Sequence, residues 1–154
     1  MSELRWNPMI NDWVMINSNR QKRPNMQGKC PFCPGNGGTE KLPKDYDVLQ
    51  YDNDFPALSQ KPPEPNNAAG GSKLYKIMPM YGKCEVILFS PEHESSICEF
   101  SVGHIRKIVD LWTERFIEIS KDPNCVQICF HTRINSMWIL NIQKISNIVL
   151  AIGE

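Results

Sequence analysis

The chain has 154 residues, 41% of them hydrophobic, and its seventeen basic and seventeen acidic side chains cancel to zero formal charge. That length fits one ordinary domain or half of a larger protein, with enough apolar content for a core. Balanced charge argues against a general nucleic-acid or membrane-surface binder, and no apolar run reaches membrane-spanning length.

Met1 to Trp13 carries Glu3, Arg5, Asn7, Asn11 and Asp12 and shows no apolar signal core, so a cytoplasmic protein with reduced thiols is expected. Asp12 to Ile16 reads as a short strand, followed by a polar loop over Asn17 to Gln27. Within that loop Arg20, Lys22 and Arg23 precede Pro24. Two arginines three apart suit a phosphate or diphosphate, because guanidinium matches phosphoryl oxygens bidentately; a solvated basic loop has the same composition.

Next comes Cys30-Pro31-Phe32-Cys33-Pro34-Gly35-Asn36. Two thiols at this spacing grip one metal ion from a single turn, and the prolines fix φ at two of its points. A structural zinc needs four ligands at roughly 2.0–2.3 Å, so this is half a site. A redox role fits less well, because such motifs open a helix and Pro34-Gly35 blocks helix growth. The six cysteines form an even count, but a disulfide framework needs a secreted context. Cys84, Cys125 and Cys129 sit among apolar residues and are expected to pack as small hydrophobes.

Asn53-Asp54-Phe55-Pro56 offers hydrogen-bonding groups for a nucleoside, or simply an Asx turn before a proline. Ser59 to Ser72 is rich in Pro, Asn, Ala and Gly and reads as a long exposed loop. Cys84 to Phe89 is the best strand, bounded by Gly82 and Ser90-Pro91. Of the three histidines, His93 follows that strand at a corner, which makes it the best third metal ligand. A helix is predicted from about Val102 to Ser120, with an apolar stripe of Ile105, Ile108, Val109, Trp112, Phe116 and Ile119. Ser101 is its N-cap, Asp122-Pro123 ends it, and His104 falls at the edge of the buried face. Val126 to Phe130 looks like another strand. Beyond it the period is lost: Ile145, Ile148, Val149 and Ile152 fit a short helix or an irregular strand. The order of elements suits an α+β domain with an antiparallel sheet.

Taken in order, Glu3-Leu4-Arg5 with Asn7-Pro8 and Asp12-Trp13-Val14, Arg20-Gln21-Lys22-Arg23-Pro24, the C-x-x-C turn, Asn53 to Leu58, Gly82 to Phe89, Ser90-Pro91-Glu92-His93 and the helix with Trp112 and Arg115 resemble the N-terminal part of galactose-1-phosphate uridylyltransferases. The resemblance covers residues 1 to about 128, which defines an N-terminal domain over 1–128 and a divergent tail over 129–154, for which an out-of-frame origin is the expectation. It implies a histidine-triad-like fold, an antiparallel half-barrel with a flanking helix, here incomplete. It implies uridylyl transfer between UDP-glucose and hexose 1-phosphates through a uridylyl-histidine. It further implies a zinc held by Cys30, Cys33 and His93, Arg20 and Arg23 on the diphosphate, and Asn53 and Asp54 on the uridine side. Family members are expected to be homodimers.

The pattern then fails. The family's His-Pro-His-x-Gln motif, which holds the fourth zinc ligand and the nucleophile, should fall near residues 141–144, where the chain reads Asn-Ile-Gln-Lys. No histidine follows His131, which lacks the flanking histidine and proline and stands out of register for that role. The expectation is a catalytically incomplete fragment; a non-enzymatic zinc-stabilised UDP-sugar-binding or interaction domain and an adenylyl-transferring sibling are the alternatives.

Overall fold

The computed structural model describes residues 2–18, 32–33, 42–43, 45–65, 71–93, 95–124, 127–132 and 145–151. The chain opens on a hairpin of β1 (Ser2–Asn7) and β2 (Asp12–Asn17), paired from Ser2↔Asn17 to Asn7↔Asp12. Asn7 Oδ1 accepts from the Met9 backbone N–H at 3.0 Å, and Asn11 closes the loop at φ 53°. Asparagine tolerates that left-handed region better than most residues. Trp6 and Trp13 stand directly opposite and meet edge to face at 5.5 Å, a cross-strand pair that pins the register. β4 (Ile77–Pro79) adds to the other side of β1, giving an antiparallel sheet of order β2-β1-β4.

The second sheet runs β3-β5-β7-β6, antiparallel throughout. It comprises β3 (Leu49–Asp52), β5 (Cys84–Leu88), β6 (Gln127–Thr132) and β7 (Ile145–Ala151). All five residues of β5 are buried, so both faces of this strand are covered. Ile87, with Phe89 just beyond the strand, joins Leu4, Leu58, Met80, Ile108 and Ile119 in the main core. Val86 and Leu88 join Tyr51 in a second cluster, against which Phe32, Leu42, Tyr46 and Leu49 pack. The split between Ile87 and its neighbours follows the two-residue period of a strand. Cys84 packs in the main core as a small hydrophobe; nothing is described of the side chains of Cys125 and Cys129.

Helix α1 spans Val102–Ile119. Ser101 Oγ accepts from the His104 N–H at 3.2 Å, so the expected N-cap is in place. The expected apolar stripe needs correction. Ile108 and Ile119 are buried and Trp112 meets Phe89 edge to face at 6.0 Å, but Val109 and Phe116 are 45% and 49% exposed. Each residue turns the helix by about 100°, so positions 108, 112, 115 and 119 face the sheet while 109 and 116 swing away. The inward place next to Phe116 thus belongs to Arg115. That guanidinium donates to buried Glu85 of β5 from Nε at 2.9 Å and from Nη2 at 2.8 Å. Lys83 Nζ lies 2.5 Å from Glu85 Oε1. A charge on a fully buried strand is tolerated because two cations neutralise it.

The tail departs from its reading as an unresolved choice between helix and irregular strand. β7 pairs from Cys84↔Val149 to Leu88↔Ile145 on one side and from Gln127↔Ala151 to Thr132↔Ser146 on the other. It is therefore an inner strand of the sheet, and the 128/129 boundary falls inside β6. Among the described residues no helix is long and apolar enough to cross a membrane.

Candidate functional site

The C-x-x-C segment reaches the sheet through Phe32, one of the two residues between its cysteines. Phe32 packs against Tyr51 with ring centroids 6.5 Å apart and joins the second apolar cluster. Aromatic burial there seats half-buried Cys33 beside the sheet.

The opposing element is the corner after β5. Ser90 is buried, its Oγ accepts from the Glu92 N–H at 3.0 Å, and Ser95 Oγ donates to the Glu92 carbonyl at 3.1 Å. These local bonds, with φ fixed at Pro91, form a tight turn that presents His93. Cys33 Sγ and His93 Nδ1 meet at 3.0 Å across sixty residues of sequence. A sulfur and an imidazole nitrogen converging from separate elements form a donor pair that suits zinc. Among the described residues no group of three or more His, Cys, Asp and Glu side chains converges. Cys30, Arg20 and Arg23 lie outside the described residues.

Asn53 and Asp54 follow β3 directly. Asn53 donates its backbone N–H to the Cys84 carbonyl at 3.2 Å, and its Oδ1 accepts from the Phe55 N–H at 2.9 Å. The Asx turn is therefore present, and it leaves the Asn53 amide N–H₂ as the donor for any further partner. Asn17 Nδ2 donates to the Pro56 carbonyl at 3.2 Å, tying the first sheet to this turn. Exposed Asp54 accepts a short hydrogen bond from the Tyr51 hydroxyl through Oδ2. Burial, and then the Asp54 carboxylate, push the Tyr51 phenol well above its ordinary value, so it stays a donor at neutral pH.

Tyr51 was not foreseen as a site residue, yet it joins both candidate regions. Its ring holds Phe32 of the cysteine turn and its hydroxyl holds Asp54. The only hint in the sequence is an aromatic residue three positions before Asp54 in a strand-like run.

Comparison with known proteins identifies the family and the fold. A family model described as galactose-1-phosphate uridyl transferase, N-terminal domain, matches residues 1–133. The galactose-1-phosphate uridylyltransferase of Thermotoga maritima is 33% identical over 123 residues, covering 79% of this chain and 37% of the relative. The enzyme of that name from Rattus norvegicus is 31% identical over 143 residues, covering 81% of this chain and 37% of the relative. This chain thus spans little more than a third of the length of these curated relatives. A solved uridylyltransferase superposes with a TM-score of 0.75 at 25% identity, over 96% of this chain and 45% of that one. An ADP-glucose phosphorylase from Arabidopsis thaliana, solved with ADP-glucose bound, shares the fold with a TM-score of 0.59 at 23% identity, over 98% of this chain and 49% of that one. With 133 of its residues under the family model and the fold in agreement, the chain belongs to the galactose-1-phosphate uridyl transferase family, at that family's N-terminal domain.

Proposed function

We propose that this chain is a catalytically incomplete part of a UDP-glucose–hexose-1-phosphate uridylyltransferase that keeps the family's metal-binding and UDP-sugar-binding groups. The convergence of Cys33 and His93, inside a family match that spans both, carries the reading. Zinc fits the donors, with Cys30 joining Cys33 by its spacing and His93 closing from the strand corner. Bound there, zinc supplies a cross-link between the cysteine turn and the end of β5.

The chain's own groups then do the binding. Arg20 and Arg23 neutralise the sugar-nucleotide diphosphate with bidentate guanidinium contacts. The Asn53 N–H₂ and the Asp54 carboxylate address the uridine, with Tyr51 fixing the Asp54 rotamer from behind. Uridylyl transfer in this family's manner needs a histidine nucleophile on the α-phosphorus. Here His93 is engaged with Cys33, His104 with the Phe89 carbonyl, His131 lacks the flanking histidine and proline of the family motif, and residues 141–144 hold no histidine. Binding without transfer follows for this chain.

The test is calorimetric titration with UDP-glucose, run beside incubation with UDP-glucose labelled at the α-phosphate. Saturable binding that weakens in Arg23→Ala, without acid-labile label on the protein, is the expected result. No binding at all disproves the reading, and stoichiometric label turns the chain into a transferase. Tighter binding of ADP-glucose than of UDP-glucose would move the chain to an adenylyl donor.

A further inference from the structure

The first two backbone carbonyls past the last ladder pair of β5, on the way to His93, are both taken by side chains. Leu88 is the final residue of β5 in register with its neighbours, opposite Leu49 and Ile145. The next carbonyl, Phe89, accepts from His104 Nε2 at 2.6 Å. The carbonyl after that, Ser90, accepts from the Tyr46 hydroxyl at 3.3 Å. One donor comes from the first turn of α1 and the other from the loop before β3, so the strand exit is gripped from both faces.

The His104 ring is itself placed rather than free. Phe100 packs against it at 4.5 Å between centroids, and its own backbone N–H is capped by Ser101. A carbonyl oxygen only accepts, so Nε2 carries a proton in either charge state and the bond does not depend on ionisation. The loop on the opposite face is tied to the same helix by an ion pair between Asp47, next to Tyr46, and Lys107, three residues on from His104.

We propose that His104 and Tyr46 are positioning residues of the metal centre. They fix the backbone of Phe89 and Ser90, and thereby the turn that aims His93 at Cys33. The proposal rests on the zinc reading of that pair. Groups that orient a metal ligand without touching the metal commonly control its affinity, and their loss costs about 10- to 100-fold.

The test is zinc affinity by competition with a chromophoric chelator, read beside the thiolate charge-transfer spectrum of the cobalt-substituted protein. His104→Leu removes the donor while keeping an apolar side chain on Phe100. It is expected to weaken zinc binding by at least about 10-fold and to alter the cobalt spectrum. His104→Gln, which again offers an N–H to the Phe89 carbonyl, should restore most of the affinity. Ser101→Ala weakens the same helix through its cap but leaves both carbonyl bonds, so its zinc affinity should match wild type. Tyr46→Phe deletes a single hydroxyl without disturbing the core, and a few-fold loss is expected even if His104→Leu folds poorly. Equal zinc affinity in wild type, His104→Leu and Tyr46→Phe overturns the positioning role alone. Wild-type protein that takes up no zinc overturns the metal reading, and this proposal with it.

Discussion

Glu85 shows how a single residue is legible in sequence and misleading at once. It stands inside the most strand-like run of the chain, Cys84 to Phe89, and its charge gives no warning that it is fully buried. Only the fold reveals Arg115 and Lys83 closing on it. Arg115→Met leaves a buried carboxylate with one cation and should cost about 3 kcal/mol in urea unfolding, as broken buried pairs do. The Glu85→Gln, Arg115→Met double variant should recover part of that loss. Tyr51 is the second case. Its phenol is invisible as a site residue in sequence because its role depends on Phe32, nineteen positions earlier, folding onto it. Tyr51→Phe keeps that packing and removes the bond to Asp54, so a several-fold loss of UDP-glucose affinity with little change in thermal midpoint is expected.

At the scale of elements, local signals are legible where they decide the outcome. The Ser101 cap, the Asp12 strand start and the β5 run all appear within a residue or two of their expected limits. Short strands were harder. β1 mixes Glu3 and Arg5 with only two apolar residues, and β4 has three residues in all. β7 is ambiguous because Ile145-Ser146-Asn147-Ile148-Val149-Leu150 follows no strict two-residue alternation, and its pairing with β5 and β6 is a long-range fact. The expected stripe takes in Val109 and Phe116 because the sequence alone does not show which side the sheet occupies. β5 carries most of the consequence: Ile87→Ala, in a fully buried position between sheet and helix, should destabilise the domain by about 3 kcal/mol in denaturant titration. Val109→Ala, on the same helix but half exposed, should change stability far less.

For the molecule as a whole, surface pairs link helix, loops and sheet. Asp47 is held below the ordinary carboxylate value by its bond to Lys107, Glu118 by Lys121, and Asp122 by the Tyr81 hydroxyl and the Asn124 N–H. A depressed folded-state value means stability that is present above the unfolded-state value, about 4, and is lost as pH falls through the folded one. Denaturant midpoints should therefore drop as pH is lowered through the acid carboxylate range, and Asp122→Asn should flatten that drop. The exposure of Asp47 and Glu118 keeps the effect modest.

The two sheets share one core through Leu4, Leu58 and Met80, and the second sheet's other face receives the cysteine turn. That is why the Cys33–His93 pair is half legible in sequence. Spacing named Cys30 and Cys33, and the corner after β5 named His93, but only the fold brings Cys33 and His93 to 3.0 Å. The most direct measurement is the metal content of purified protein by elemental mass spectrometry, for wild type and for Cys33→Ser and His93→Asn. Zinc stoichiometric with the chain in wild type, and largely lost in both variants, is the expected result. Wild type free of zinc, or variants that retain it in full, would contradict the account.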